Sequence, residues 1–600
     1  MIHSSPHTFH IPVMGTGYTI DTPIKVAHYG ISSVISIIDH RLTENMREHY
    51  SKEFNYEFHT IKETEADCRA RRITAYLNLV KCIVDQKFEA LKASPFVEGS
   101  EISKYFEMLP ENSELKNMYV SMLSLGGDAQ LIAQNKLRER ISPGSIDVNI
   151  MTKIDGAGIK RTKNEDSVEF NDAHAALRGF ANSDLESSVV FSAGLNPRLY
   201  GYIAHFDDFF PDENGYIKKK VVLKISDYRS ALIQGKFLAK KGIWVSEYRM
   251  ESGLNCGGHA FATDGYLMGP ILKEFNENKV VLKDTLHPLI SNALAQKERS
   301  TNLDKLEVLL TVQGGVGTSQ EHDFLMDHEH ANSIGWGSPF LLVPEAVTID
   351  NVSLELLINA KEEDYYLSEV SPLGVSFNTV RGNSAEKERD ARIDSGKPGA
   401  PCVKKHLAFN KELSDDFLCT ASVKYQKTKI DELLSHELPF SEMRNEFQKI
   451  VEKVCLCVGL ANGAAIEKGA KVSKVSQGVA ICPGPNTAYF NKVVSLKEMV
   501  DHIYGRIDLV ALKNRPNMFV KELELYISYI KNKINDNLKE QSVKKEKYIQ
   551  KFIKNLEDGI IYYDQLFDET ASHLAEISEK AKEELNRLKT DLIGLELTLS

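Results

Sequence analysis

The 600-residue chain has no excess of basic residues: 73 lysines and arginines stand against 84 aspartates and glutamates, a formal charge of −11. The attraction that nucleic-acid backbones and anionic membrane surfaces exploit is therefore missing, and neither is expected as a partner. No apolar run approaches the roughly 18–20 residues of a membrane span. The stretch MIHSSPHTFHIPVMG lacks a basic segment followed by an apolar one, so no export signal is readable in it. Cysteine is scarce as well, eight in 600 residues, too few for a disulfide scaffold. These absences predict a cytoplasmic protein with reduced thiols. What is present, 42% hydrophobic and 26% charged residues, is the composition of an ordinary globular protein. Its length sets a prior of about four domains at roughly 150 residues each.

The chain opens with a strand pattern from Phe9 to Met14, a turn at Gly15-Thr16-Gly17, a short amphipathic segment from Thr22 to His28 and an apolar run from Ile31 to Ile38. Strand, helix and buried strand in so short a span are the opening βα unit of a parallel sheet. From Leu42 to about Arg140 the pattern is charged and helical, with Ile73, Leu77, Val80, Ile83 and Phe88 at helical spacing. Strand patterns resume at residues 145–150, 188–192, 220–225, 242–246, 306–312 and 333–336, separated by helical stretches such as Asp227 to Lys240. Short β-branched strands covered by helices predict an α/β fold, and the count fits a (β/α)8 barrel, with an open doubly wound sheet as the alternative.

The expected layout is a barrel in two pieces, residues 1–40 and 141–375, with a helical insertion at 41–140. A cysteine-containing extension at 376–516 and a helical hairpin or coiled-coil tail at 517–600 follow it. The stretch from Arg381 to Pro401 is charged and Gly/Pro-containing and reads as a linker or an ordered excursion over the surface. In the tail, Leu523, Ile527, Ile530, Ile534 and Leu538, then Leu574, Ile577, Leu585, Leu588, Leu592 and Leu595, fall at spacings of long amphipathic helices. They either pack on the body or contact a second subunit.

Three glycine pairs follow strands directly: Gly257-Gly258, Gly314-Gly315, and Gly335 with Gly337. Each alone reads as a tight turn. Together, at successive strand ends, they predict backbone N–H groups gathered around a phosphorylated ligand. His259 follows the first pair and would stand at the barrel mouth, where it can exchange a proton near neutral pH. Cys256 reads as a small buried thiol.

SGLNCGGH, followed about 55 residues later by LLTVQGGVGTSQEHDFLMDHEHANSIGWGSPFLLVPEA, resembles the nitronate monooxygenase (2-nitropropane dioxygenase) family, which also includes FMN-dependent enoyl-acyl-carrier-protein reductases. Other segments are similar in the same order. HIPVMGTGYTIDTP carries Met14 and Thr22-Pro23 at family positions, Asp147-Val148-Asn149 resembles its G-V-N strand, and residues 191–195 its third strand. The resemblance covers about residues 9–40 and 145–350, and CLCVGLANGAA from Cys455 to Ala465 is similar to a segment found after the barrel in some members.

The resemblance implies an FMN-binding barrel and an oxidoreductase. Backbone groups near Met14 and Gly15 would meet the isoalloxazine ring and Asn149 would hydrogen-bond it. Gly257, Gly258, Gly314, Gly315, Gly337 and Ser338 would form the phosphate cradle. His259 would act as base or acid in proton transfer, with electrons passing to or from flavin N5. Lys224, alone among apolar neighbours in its strand, is a further candidate for the flavin N1/O2 edge, unless it extends to the barrel rim. The reaction implied first is that of a nitronate monooxygenase. An FMN-dependent enoyl-thioester reductase is the alternative, with NAD(P)H as candidate electron donor and terminal helices that dock a carrier protein. A third reading, of another class, is a flavin-binding assembly subunit without turnover. The substrate is then a small molecule or an acyl thioester, and the C-terminal helices are the candidate surface for a second copy or a partner protein.

The chain departs from the family pattern in three places. Asn255-Cys256 replaces Glu-Ala, removing a carboxylate from the substrate mouth; Ser338 replaces a threonine; and Trp336 is a large aromatic beside the last glycine. No metal ion is expected. His322, Asp327, His328 and His330 do not share one helix face. Cys455-Leu456-Cys457 with Cys482 and Cys402 or Cys419 matches no C-x2-C spacing.

Overall fold

The computed structural model describes residues 5–156, 167–192, 194–254, 258–259, 264–470, 472, 476–512, 514–540, 543–569 and 575–597. Eight parallel strands close into a barrel in sequence order: β1 Phe9–Ile11, β2 Ser32–Ser36, β3 Ile146–Met151, β4 Ser188–Ser192, β5 Lys220–Ile225, β6 Val245–Glu251, β7 Leu309–Gln313 and β8 Ser333–Gly335. Pairing of Phe9 with Ile334 and His10 with Gly335 joins the last strand to the first and rules out the open sheet. The fold is the (β/α)8 barrel with helical additions.

One strand differs from its sequence pattern in a way that matters. The apolar run Gly242 to Ser246 predicts the sixth strand too early, because the real strand continues through Glu247, Arg249 and Glu251. Charged residues at alternate positions do not look like a buried strand. They face the barrel interior, where each finds a partner on the neighbouring strand. Arg249 donates through Nε to Glu247 Oε1 at 2.8 Å and to Thr311 Oγ1 at 3.2 Å. Higher up, Lys224 Nζ and Gln313 Nε2 both donate to Glu251 Oε1, at 2.7 and 2.5 Å. A small cluster of Val13, Val34, Val190 and Val222 fills the apolar part of the interior.

The insertion leaves β2 at the C-terminal face of the barrel. Asp39 caps the helix His40–Glu53 by accepting from the Arg41 and Leu42 N–H groups, both at 3.1 Å. The following helix, Cys68–Ala93, packs on the helix Asp172–Ala181 after β3. The remaining insertion helices close over a second core around Phe88, Tyr105, Phe106 and Tyr119.

After the barrel, an antiparallel hairpin of β9 Tyr365–Ser368 and β10 Phe377–Val380 bridges to His259 through Phe377. The stretch read as a linker or excursion holds an ordered helix, Ser384–Asp394, capped by Asn383. The tail is three helices, Met518–Glu540, Val543–Glu569 and Ala575–Leu597, where the sequence pattern predicts a hairpin of two or a coiled coil. They pack on one another and on the barrel helix Met268–Ala295. Gly269 on that helix has no room for a Cβ, which would lie 2.5 Å from Tyr563.

Candidate functional site

A cavity enclosing about 900 Å³, its open mouth included, lies at the C-terminal face of the barrel. It opens at the face where barrel enzymes carry their sites. Gly15 from the loop after β1, Asn149 from β3, Lys224 from β5, Glu251 from β6 and His259 from the loop after it all line this cavity. Four of the predicted residues thus meet there, although up to 244 positions separate them in the chain. The far wall comes from the extension: His406, Leu407, Leu456, Cys457 and Leu460.

Several expectations change in detail. The Met14 side chain is fully buried and its N–H donates to Thr19 Oγ1 at 3.2 Å, while its neighbours Val13, Gly15 and Thr16 line the cavity. Lys224 reaches the cavity but pairs with Glu251, so the carboxylate neutralises it and the couple presents a dipole rather than a net positive charge. Glu251 also returns a carboxylate to the mouth that lost one at Asn255-Cys256. Asn255, Cys256 and Gly257 lie outside the described residues.

His259 sits against Phe377 edge-on, with ring centroids 5.1 Å apart, and its Nε2 is 2.7 Å from Ser371 Oγ. Burial, aided by the Lys153 charge, holds its pKa down to about 4. The imidazole is therefore neutral near pH 7. Gly258, at φ +80°, lets the loop pass under Phe377, whose ring would be 2.4 Å from any Cβ there.

Gly314, Gly315, Gly337 and Ser338 do not join this cavity wall. They form a second cluster at the ends of β7 and β8, roofed by the extension. Gly484 N–H donates to Ser338 Oγ at 2.8 Å, and three successive carbonyls of the β7 loop are each held by one extension side chain. Arg515 Nη2 donates to Gly315 O at 2.7 Å, Asn486 Nδ2 to Val316 O at 2.8 Å, and His502 Nε2 lies 3.0 Å from Gly317 O. Leu509 N–H donates to His502 Nδ1, which fixes the proton on Nε2. Among the described residues the backbone N–H groups of Gly315 and Val316 meet no protein acceptor. Trp336 is fully buried and donates to His322 Nδ1 at 3.1 Å. That bond, with Thr8 Oγ1 2.9 Å from Nε2, makes His322 a core residue.

The cavity fits the ring of a flavin in one respect that the protein leaves unfinished. Asn149 Oδ1 is buried without a protein hydrogen-bond partner, an acceptor open to an N–H or O–H of a ligand or of water. Among the described residues no group of three or more His, Cys, Asp or Glu side chains could hold a metal ion. Cys402 packs against Cys419 in a small cluster with Ala408 and Ala421, whereas Cys482 lies apart against Gly15 and Gly258.

Sequence reasoning missed two residues of the wall. His406 and its partner Asp172 are 234 positions apart, and neither belongs to a motif. The missed length of β6 likewise hid Glu251.

No protein-family model and no curated protein matches the chain. Similar solved structures include FabK from Thermotoga maritima, 12% identical over 68% of this chain and 85% of that chain, with a TM-score of 0.31. The enoyl reductase domain of MlnA from the macrolactin biosynthesis cluster of Bacillus amyloliquefaciens is 12% identical over 74% of this chain and 90% of its own, with a TM-score of 0.32. Nitroalkane oxidase from Streptomyces ansochromogenes is 10% identical over 63% and 84%, with a TM-score of 0.29. Likeness of that size says nothing about activity; the barrel rests on its own strand order.

Proposed function

We propose that the chain is an FMN-dependent oxidoreductase of the nitronate monooxygenase type, with the reaction centred in the cavity at the barrel mouth. The orphaned Asn149 Oδ1, in one wall with Gly15, the Lys224–Glu251 pair and His259, is the observation that carries this reading. FMN, when bound, supplies a reversible two-electron acceptor. Asn149 would accept a ring N–H, and the Gly315 and Val316 N–H groups of the β7 loop would be offered to the phosphate. His259, neutral near pH 7, takes the proton α to the nitro group without first having to lose one. Its burial makes the imidazolium costly, so proton transfer is favoured only where negative charge develops beside it. Ser371 fixes the ring orientation through the bond to Nε2.

Adding FMN to the purified chain should give a bound flavin spectrum, and anaerobic alkyl nitronate should bleach it without NAD(P)H. His259→Gln should keep the flavin and lower turnover of the neutral nitroalkane ~10²-fold, while the preformed nitronate, which has no such proton to lose, is affected less. Failure to take up FMN overturns the reading. Bleaching by NAD(P)H with turnover of an enoyl thioester replaces it by the reductase, and bound flavin without any turnover by the assembly subunit.

A further inference from the structure

We propose that His406, oriented by Asp172, is a second proton-transfer residue of this cavity, besides His259, and binds an oxyanion of the substrate. The inference deepens the reading above and rests on it for the identity of the reaction, though not for the chemistry of the pair. His406 belongs to the post-barrel extension and is 6% exposed, with its remaining surface in the cavity. Asp172 is the first residue of the helix Asp172–Ala181 and is buried. Its Oδ2 lies 3.0 Å from His406 Nδ1, and its Oδ1 accepts from Arg69 Nη1 at 3.2 Å. Arg69 also donates to Phe170 O at 2.9 Å, so the carboxylate cannot swing away. With Nδ1–H directed at the carboxylate, Nε2 is the atom left for the cavity, and among the described residues it has no other partner. A carboxylate behind and an exposed nitrogen in front are the arrangement by which a histidine is both aimed and made more basic.

The charges around His406 support a cation there. Burial by itself lowers its pKa, and the Asp172 carboxylate, its hydrogen bond and Asp39 together outweigh burial and raise it, against the opposing charge of Lys404. Lys404 in turn pairs with Asp39 at 2.5 Å. His40, next to Asp39, is held neutral by burial, and the Cys402 thiol completes the groups that face the ring. The same cavity is lined by the neutral Lys224–Glu251 pair and His259. One histidine is thus tuned down and the other up within one cavity, the pattern that assigns a base and an acid. The acid has no use unless oxygen on the substrate gains negative charge, as a nitronate or a thioester enolate does. His406 Nε2–H binds that oxygen and can pass its own proton to it, becoming neutral imidazole that takes a proton back from solvent.

Titration of the flavin-free chain tests the pair independently of the cofactor. In imidazole nitrogen NMR, His406 should be protonated at pH values where His259 is neutral, and Asp172→Asn should move the His406 midpoint below that of free imidazole, ~6.5. Butyrate, a carboxylate that does not titrate between pH 6 and 9, serves as the oxyanion probe. Its affinity should fall about tenfold or more as His406 loses its proton, and His406→Gln should abolish this pH dependence. An unchanged His406 midpoint in Asp172→Asn overturns the orienting role. Butyrate binding with the same pH profile in His406→Gln overturns the oxyanion role. In either case FMN uptake by the same preparations shows separately whether the flavin reading stands.

Discussion

The barrel mouth has two sides that the protein treats differently. Towards β1–β6 it leaves an open cavity in which Asn149 Oδ1 lacks a protein partner and which His406 helps to line. Towards β7–β8 the extension closes down, and nearly every side chain is bonded. Glu321 alone accepts from Gly317 N–H, Met518 N–H and both Arg515 nitrogens, at 2.8 to 2.9 Å. Both sides are polar and buried, so polarity does not separate them. Side-chain pairing does: on the closed side the extension's side chains are tied to the β7 loop and to Glu321 and hold the fold together, whereas on the open side Asn149 keeps a spare buried acceptor.

The comparison can be broken most forcefully on the closed side. Arg515→Ala leaves Glu321, whose side chain is 4% exposed, as an uncompensated buried charge. Urea unfolding should show a loss of about 3–5 kcal/mol. The variant should also lose any preference for FMN over riboflavin, because the Gly315 carbonyl is released. A loss below about 1 kcal/mol would mean that the network is ornamental to stability.

A neighbouring carboxyl adds a pH signature. Glu522 in the first tail helix accepts from Gly253 and Met268 N–H groups, tying the tail to the loop that leads to His259. Burial, against those hydrogen bonds, raises its pKa to about 7 from 4.5. The folded state then binds more protons than the unfolded state between these values. Its contribution is full below about pH 4.5 and falls as pH rises through 7, by on the order of 3 kcal/mol. Glu522→Gln should remove that slope and be more stable than the parent at pH 8. An unchanged slope in the variant would place the titration elsewhere.

The smallest effect belongs to the open side. Asn149→Leu replaces an unsatisfied buried acceptor by an apolar side chain of similar size, so stability should change by no more than about 1 kcal/mol in either direction. Flavin affinity, read by fluorescence quenching, should fall about tenfold. A large loss of stability would show Asn149 to be part of the scaffold and erase the contrast between the two sides.

The barrel was legible because strands such as Val189-Val190-Phe191 and Val221-Val222-Leu223 are short, β-branched and separated by helical patterns. Glycine motifs marked the strand ends, and the resemblance directed attention to Gly15, Asn149 and His259. Glu251 was hidden because charged residues in a barrel interior imitate a surface strand. His406 and Asp172 were hidden for a different reason: no periodicity connects a loop after the barrel to the start of a barrel helix. The tail pattern announced amphipathic helices, but their number and what they pack against depend on partners such as Gly269, which the tail itself does not contain.

Local sequence by itself determined where backbone elements form and where the chain turns, since propensity, alternation and glycine act over a few residues. It also made histidines, thiols and carboxylates available without saying which would matter. Closure of the barrel and the fall of the extension across its mouth decided that. Position then set chemistry: burial beside Phe377 holds His259 neutral, while a carboxylate 3.0 Å away supports charge on His406. Two residues of the same type become different reagents because desolvation and Coulomb attraction depend on what the whole chain brings within a few ångströms.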